Sequence, residues 1–540
     1  MTPRHSTSSA LRRFGFRQTL RAALIIGVLS GVLMGVQGAA YAAAYPDQHS
    51  RDMFVTTLAS APGLGFMAGE ARNAGTPASY SIYKSIALTT LILAVWGLLT
   101  TTRLLRGQEE DGRLEPIVAG RTTKLAASFN ILIGYGYSIA IAFFITWFAI
   151  AAFGLDPKVN LSVGNAGLLS LGVFMPGIFF ASLGVLTSQL ALTRGRAMAY
   201  GLGLLLFFFA LRGAGNSVTS WNDLKQFTPF GWTDLLNPVL GPEPWWIAPT
   251  VIFTIIAIPL ALYFAGRRDL GGSILPESQY AKPHYYLLGS DFGYSVRQNI
   301  WPFVWWTLGT IGYAGLLSSV AKAAADALSS SPVFVRVISS LGGNDSSIVI
   351  AFIGFGGVFT ALILLVMSAV AIGSIRTQEA KLYLDNILVQ PIHRTAWLIK
   401  RLLILTVMAL IISVVTGYAI WQIAELQKVT LDFWLVFQNS VALVGTIVLL
   451  IGAGTLIYGL FPRLASIVMY VAIVWAFLAD ILKAVLSLND TIDKTSLLHY
   501  VTFAPTKTPD WSTFAWLVGI GIVAAALGIV AFTKRDIIAE

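Results

Sequence analysis

Twelve runs of predominantly apolar residues, each close to the length that crosses a bilayer, constrain this chain more than any motif in it. A helix needs about 20 such residues to span about 30 Å of hydrocarbon. Runs of that kind lie near residues 22–44, 85–102, 127–153, 166–192, 197–213, 246–266, 301–322, 347–375, 398–422, 433–460, 464–486 and 513–532. Lipid offers no water to backbone polar groups, so each run has to close its own hydrogen bonds as a helix. The predicted fold class is therefore an all-α polytopic membrane protein of about twelve transmembrane helices. Composition points the same way: 11% of residues are charged, against about a quarter in soluble domains.

Charge and cysteine usage narrow the chemistry. The chain has no cysteine, which excludes disulfides, thiolate metal sites and a cysteine nucleophile. Its five histidines are scattered, and no paired catalytic residues or metal-ligand spacing stand out, so neither a catalytic nor a metal site is predicted. The net charge of +10 is explained by topology rather than by nucleic acid. With the N-terminus placed in the cytoplasm, 24 of the 36 Lys and Arg residues fall on that side, the bias that orients multi-pass proteins. Both termini are then cytoplasmic. The start of the chain, Arg-rich, then apolar, then "YAAAYP" around Ala42 and Ala44, imitates a secretory leader. Its apolar run is longer than a leader's, and an uncleaved first span is expected.

The chain also repeats itself. Six spans return it to its starting side, so a six-plus-six organisation, residues 1–270 and 271–540, is a parallel repeat. Each half ends its third outer loop in a proline- and aromatic-rich stretch closing on tryptophan, at Trp245, Trp246 and Trp511, suited to the membrane–water interface. Each ends its last span with an Arg-Asp pair, Arg268-Asp269 and Arg535-Asp536. Basic amphipathic segments precede the first span, with Arg12, Arg13, Arg17 and Arg21, and the seventh, with Arg297. Either segment alone would equally suit a solvated basic flank, but their recurrence in both halves points to short amphipathic helices lying in the interface.

The clearest internal match is a charged island. "RGQEEDGRLEPIVAGRTTK" at 106–124 aligns without a gap with "RTQEAKLYLDNILVQPIHR" at 376–394, an offset of 270. Leu114, Ile117 and Val118 recur as Leu384, Ile387 and Leu388, with the i, i+3, i+4 spacing of one helix face. Such a face does not stay in water; it packs on this chain, on the membrane surface or on a partner. Proline at Pro116 restricts Glu115 before it, which predicts a break near Gly112–Glu115 and a new short helix after it.

These residues carry a resemblance. The pattern E-E-x-x-G-R-x-E, then apolar residues and a P-x-x-R turn, after the second span of a six-span unit, resembles the type-2 permeases of ATP-binding-cassette (ABC) exporters. The fused twelve-span form is similar to bacterial exporters of polyketide antibiotics, the tetronasin type. Glu109, Glu110, Gly112, Arg113 and Glu115 match the front of the motif in the first half, where the proline is missing. Pro391 and Arg394 match its end in the second half, where Glu379 and Asp385 represent the acidic residues. The resemblance implies that Glu109, Glu110, Arg113, Leu114, Glu115, Ile117 and Val118 form one coupling helix. It implies a second formed by Glu379, Leu384, Asp385, Ile387, Leu388, Pro391 and Arg394. Each would sit in a groove of a separate ATPase, two copies or two similar subunits, which would hold ATP and Mg²⁺. It further implies a multi-pass protein of the bacterial cell membrane that exports antibiotic- or drug-like compounds, with Glu109 and Glu379 as rim contacts to the partner.

The residues themselves agree that this chain binds no nucleotide through a P-loop, because no G-x-x-x-x-G-K-[ST] occurs. Energy then comes from a partner or from an ion gradient. The alternative is a proton-coupled twelve-span secondary multidrug transporter, which needs ionisable residues deep in its spans. The candidates are Asp480, Lys483 and Arg212, all near span ends. Aromatic-rich spans with a few amides, Asn130, Gln189, Gln438 and Asn439, favour a small amphiphilic substrate over an ion.

Overall fold

A computed structural model describes residues 7–59, 68–120, 122–217, 219–275, 285–328, 348–380, 382–389, 392–486, 494–501 and 507–536. The described residues form helices and no strand, and the chain divides into two compact units, Met1–Ala281 and Lys282–Glu540. In the first, the long helices are α1 (Thr7–Ala44), α2 (Pro77–Thr102), α4 (Lys124–Gly154), α5 (Val163–Leu190), α6 (Arg194–Ser217) and α7 (Ala248–Arg267), with the short α3 (Glu115–Val118) between α2 and α4. In the second they are α8 (Asp291–Leu328), α9 (Ile348–Ala380), α11 (Arg394–Leu426), α12 (Phe433–Leu460), α13 (Ala465–Leu486) and α14 (Trp511–Lys534), with the short α10 (Tyr383–Leu388). Among the described residues ten helices are long and apolar enough to cross a membrane. The other two expected spans coincide with α8 and α13, part of whose side chains, including those of Asp480 and Lys483, lie outside the described residues. The protein is an all-α polytopic membrane protein.

Local chemistry sets where these helices begin. Ser162 caps α5 through the Asn165 N–H, and Asp432, 270 residues on, caps α12 through Trp434 and Leu435; each oxygen satisfies donors the first turn leaves open. The basic flanks differ from the expected interfacial helices. Arg12, Arg13, Arg17 and Arg21 lie on the first turns of one unbroken 38-residue helix, α1, and Arg297 on the first turns of another, α8. The helices run on through Gly15 and Pro302 into the spans, and Arg12 Nε donates to Asn130 Oδ1 on α4 at 2.8 Å, so the first flank packs on the bundle. Of the expected interfacial tryptophans, Trp245 and Trp511 are exposed, but Trp246 is buried with Met175 and Leu236.

The two units are tightened at different helix pairs. In the first, α1 presents Gly15, Thr19, Ala23, Gly27 and Gly31, one residue per turn, to Gly134, Ser138, Ala142 and Thr146 of α4. The Cα of Ala142 would lie 3.0 Å from a Cβ on Gly27, and a Cβ on Gly134 would overlap the Arg12 carbonyl. Small residues let backbones touch, which is the main packing gain available between helices in lipid. Thr19 and Ser138 share a 2.7 Å hydrogen bond across the seam, and Thr146 Oγ1 donates to the Gly27 carbonyl at 3.0 Å. In the second unit the close pair is α12 with α14, where Gly452 and Gly459 face Gly521 and Gly528. At the α4 seam positions plus 270, α11 carries Ile404, Met408, Ile412 and Thr416. There α8 meets α11 through longer side chains, Lys400 to Asp291 at 2.9 Å and Arg401 to Gln298 at 2.8 Å, and an apolar groove of about 220 Å³ lies beside Phe292 and Phe303.

Candidate partner-docking islands

Both charged islands reverse the chain in the same way. The end of α2 runs through a π-type turn, Arg103–Gly107, to Glu110, and the backbone turns at Gly112, with φ +70°. Helix α3 follows, with Pro116 in its first turn, where the missing N–H is no loss. In the second unit α9 runs to Ala380, Leu382 adopts φ +60°, and α10 starts at Tyr383. Gly112 and Leu382 are equivalent at the 270 offset. The same left-handed turn is thus made by glycine in one island and by leucine in the other, at a cost of about 1–2 kcal/mol. The break expected between Gly112 and Glu115, and the short helix after it, are present.

The acidic residue at the heart of each island faces inward. Glu109, with its side chain 3% exposed, accepts Nη1 and Nη2 of Arg268 at 2.7 and 2.5 Å, Lys124 Nζ at 2.9 Å and the Gly271 N–H at 2.9 Å. Glu379, fully buried, accepts Nη1 and Nη2 of Arg535 at 2.6 and 2.8 Å and the Tyr458 hydroxyl at 2.7 Å. Arg106 and Arg376 stand three residues before each glutamate, at 3.2 and 3.7 Å. Each arginine is held from behind as well: Arg268 Nε donates to Gln189 Oε1 at 2.9 Å, and Arg535 lies over the Tyr458 ring at 5.1 Å. Two-point guanidinium–carboxylate pairing is the strong form of the ion pair and fixes orientation as well as distance.

Through these bonds the first island gathers the helix ends around it. Arg106 Nε donates to the Leu192 carbonyl at 2.7 Å and Nη1 to the Gly272 carbonyl at 2.8 Å. Glu110 accepts the Arg194 N–H, at the start of α6, at 2.9 Å, placing a carboxylate where a helix N-terminus favours one. The ends of α2, α5 and α7 and the start of α4 are therefore tied to one buried charge cluster, with the start of α6 held beside it by the exposed Glu110. Glu109 and Glu379 engage partners within their own unit, whereas Glu110 is exposed.

The apolar trios divide in the same manner. Leu114 and Leu384 are buried, 4% and 0% exposed, Leu114 against Leu11, Leu104 and Tyr135, and Leu384 among the core around Trp397. Ile117, Val118, Ile387 and Leu388 are half-buried on the same cores. What points outward is the opposite side: Arg113, Glu115, Pro116 and Ala119 in one island, and Leu382, Tyr383, Asp385 and Val389 in the other, Val389 being 87% exposed. Arg394 is half-buried and donates to the Arg535 carbonyl at 3.2 Å. Pro391 lies outside the described residues.

The sequence marks Arg268 and Arg535 only as a repeated pair at the end of each half and assigns them no role. Their signal was the shared position at the end of each sixth span; the partner, 159 and 156 residues away, has no local trace. Arg212, a candidate for an intramembrane charge, forms a two-point pair with Asp234 at 2.8 and 3.0 Å. Among the described residues no cluster of His, Cys, Asp and Glu could hold a metal ion.

Two comparisons bear on what this architecture is for. Residues 288–533 match the family model described as the C-terminal domain of the multidrug efflux system permease Rv1217c. Across 513 residues, 91% of this chain and 88% of the relative, the chain is 26% identical to the multidrug efflux system permease protein Rv1217c of Mycobacterium tuberculosis (strain ATCC 25618 / H37Rv).

Proposed function

We propose that this chain, like the efflux permease it resembles along nearly its whole length, is the membrane-embedded permease of a drug-export system. Its islands dock two separate ATPase subunits, alike or similar, which bind the ATP and Mg²⁺; the permease itself is not an enzyme. The observation that carries the coupling is the repeated inward anchor. In each unit a turn-and-helix island projects exposed residues on one side and is bolted by Glu109–Arg268 or Glu379–Arg535 to the end of the sixth span on the other.

Physically, such an anchor converts a push on the island into displacement of a helix end. A solvated loop would dissipate that push, whereas a buried two-point ion pair holds its geometry. ATPase closure would move both islands, and each island would carry its sixth span with it. Docking involves the outward residues, Arg113, Glu115 and Pro116 in one island and Tyr383, Asp385 and Val389 in the other, while the buried glutamates transmit. The islands and both termini face the cytoplasm in this reading, in keeping with the distribution of Lys and Arg. The cargo is a small amphiphile of the antibiotic or drug-like class.

The test is co-expression with a candidate ATPase subunit, followed by purification through a tag on this chain. Co-purification at a ratio of two ATPases per chain, with hydrolysis stimulated by amphiphilic compounds, is the expected result. Export that collapses with the proton gradient and proceeds with no ATPase bound would overturn the reading in favour of a proton-coupled carrier.

A further inference from the structure

The third and fourth long helices of the two units exchange bulk. At Phe143 and Trp147 of α4 the first unit packs aromatic rings beside α5, Phe143 against Phe174 with centroids 5.8 Å apart and Trp147 beside Gly167. The equivalent positions of α11, 270 residues on, are Ser413 and Gly417, and Leu169 of α5 becomes Asn439 of α12. Where the first unit is filled, the second has a cavity of about 70 Å³ between α9, α11 and α12.

The polar lining of this cavity is one-sided. Ser413 Oγ donates to the Ser440 carbonyl at 2.7 Å, Ser440 Oγ to the Val436 carbonyl at 2.8 Å, and Thr360 Oγ1 to the Gly356 carbonyl at 3.2 Å. The amide nitrogen of Asn439 donates to the carbonyls of Leu435 and Lys507, both at 2.9 Å. Those carbonyls only accept, which fixes the amide orientation. Every donor hydrogen these hydroxyls own, and the amide's two, are therefore spent on backbone oxygens. Acceptor lone pairs remain, and Asn439 Oδ1 is buried with no hydrogen-bond partner. No charged side chain lines the cavity among the described residues.

A second cavity of about 270 Å³ shares Val436 as a wall. Its lining is apolar but for the Tyr418 hydroxyl, and Tyr418 and Phe433 are exposed on its outer side.

We infer that these two adjoining cavities, which meet at Val436, form a binding site for an amphiphile with an uncharged hydrogen-bond-donating end. That end, an uncharged donor such as a hydroxyl or an amide N–H, enters the Ser413–Asn439–Ser440 cavity, and the apolar body lies against Val436, Phe433 and Phe437. An acceptor-only group is rejected because it would leave Asn439 Oδ1 buried and unmatched. The inference rests on the export reading for the identity of the ligand as cargo, but the site itself is testable by binding alone.

The chain has no native cysteine, so Ile420→Cys, half-buried on the cavity lining, serves as a reporter in full-length protein reconstituted in zwitterionic lipid nanodiscs. Its labelling by a methanethiosulfonate is timed with dodecanol and with dodecyl methyl ether, both uncharged, which share a chain but differ in donor capacity. Dodecanol is expected to slow labelling by about tenfold relative to the ether, the scale of one buried hydrogen bond. Asn439→Leu, which copies the first unit, should abolish that difference. So should Ser413→Phe with Gly417→Trp; if this pair fails to fold, Asn439→Leu decides. Equal protection by both compounds, no protection by either because the cavity holds water only, or protection unchanged in Asn439→Leu each overturns the site. Donor-selective protection without amphiphile-stimulated hydrolysis or export would leave the site standing and sink the export reading. Export without protection would do the reverse.

Discussion

Glu109 and Arg268, 159 residues apart, meet through two hydrogen bonds of 2.7 and 2.5 Å, and Glu379 and Arg535 repeat the pair at 2.6 and 2.8 Å. In each unit one carboxylate thus holds the island to the last span, and removing it leaves Arg268 or Arg535 without that counter-ion, whereas Glu109 without Arg268 would still face Lys124 and Arg106.

Glu109→Ala should therefore destabilise the first unit by about 3–5 kcal/mol, because Arg268 and Lys124 would lose the carboxylate that offsets their desolvation. Arg268→Ala alone should also destabilise, and the double variant should lose less than the sum of the two. Thermal unfolding of the four proteins in one detergent measures the cycle. Additive losses would mean that the pair does not couple.

The inward and outward sides of each island should separate stability from assembly. Leu384→Asp buries a carboxylate among apolar side chains and should lower the unfolding temperature sharply. Val389→Asp, at an exposed site, should leave unfolding unchanged and reduce recovery of the ATPase subunit. The pair Leu114→Asp and Glu115→Lys should divide the same way in the first unit. Full ATPase recovery in both outward variants would refute docking at this face.

Glycines at the α1–α4 seam should tolerate no side chain. Gly134→Val would drive a Cβ into the Arg12 carbonyl and part the helices, whereas a Cβ on Gly136, two residues on, meets nothing within 4 Å. Overpacking of this kind typically costs about 1–3 kcal/mol. Gly134→Val should thus fall well below wild type in thermal unfolding, with Gly136→Val close to it. Equal behaviour of the two would place the seam elsewhere.

Topology is testable at single positions in a chain without cysteine. Glu110→Cys and Asp385→Cys, both on exposed island positions, should react with an impermeant thiol reagent only in inside-out vesicles. Labelling of either in intact cells would reverse the assigned orientation.

The spans and the doubled island were legible because each writes itself locally: twenty apolar residues in a row, or an i, i+3, i+4 face around Leu114 and Leu384. Burial of Glu109 was not. A glutamate in a hydrophilic loop looks solvated until the end of a distant helix brings Arg268 to it, and no periodicity encodes a partner 159 residues away. The seam of Gly15, Thr19, Ala23, Gly27 and Gly31 was in plain view, yet small residues contribute little to hydropathy, the quantity by which spans are found. The flanking arginines of α1 misled for the opposite reason, since their amphipathic pattern describes one face of a helix and says nothing of whether that helix stops before the span.

The unequal seams also set an order of local opening. Where backbones touch, as α1 with α4 and α12 with α14, amide hydrogens are shielded by two helices at once; where bulky side chains intervene, a helix can lift away alone. Native-state hydrogen exchange should accordingly find the slowest amides at opposite ends of the two halves, early in the first and late in the second. The duplicated halves would then share a fold while differing in which segment breathes, a division of labour that sequence identity between them would not disclose.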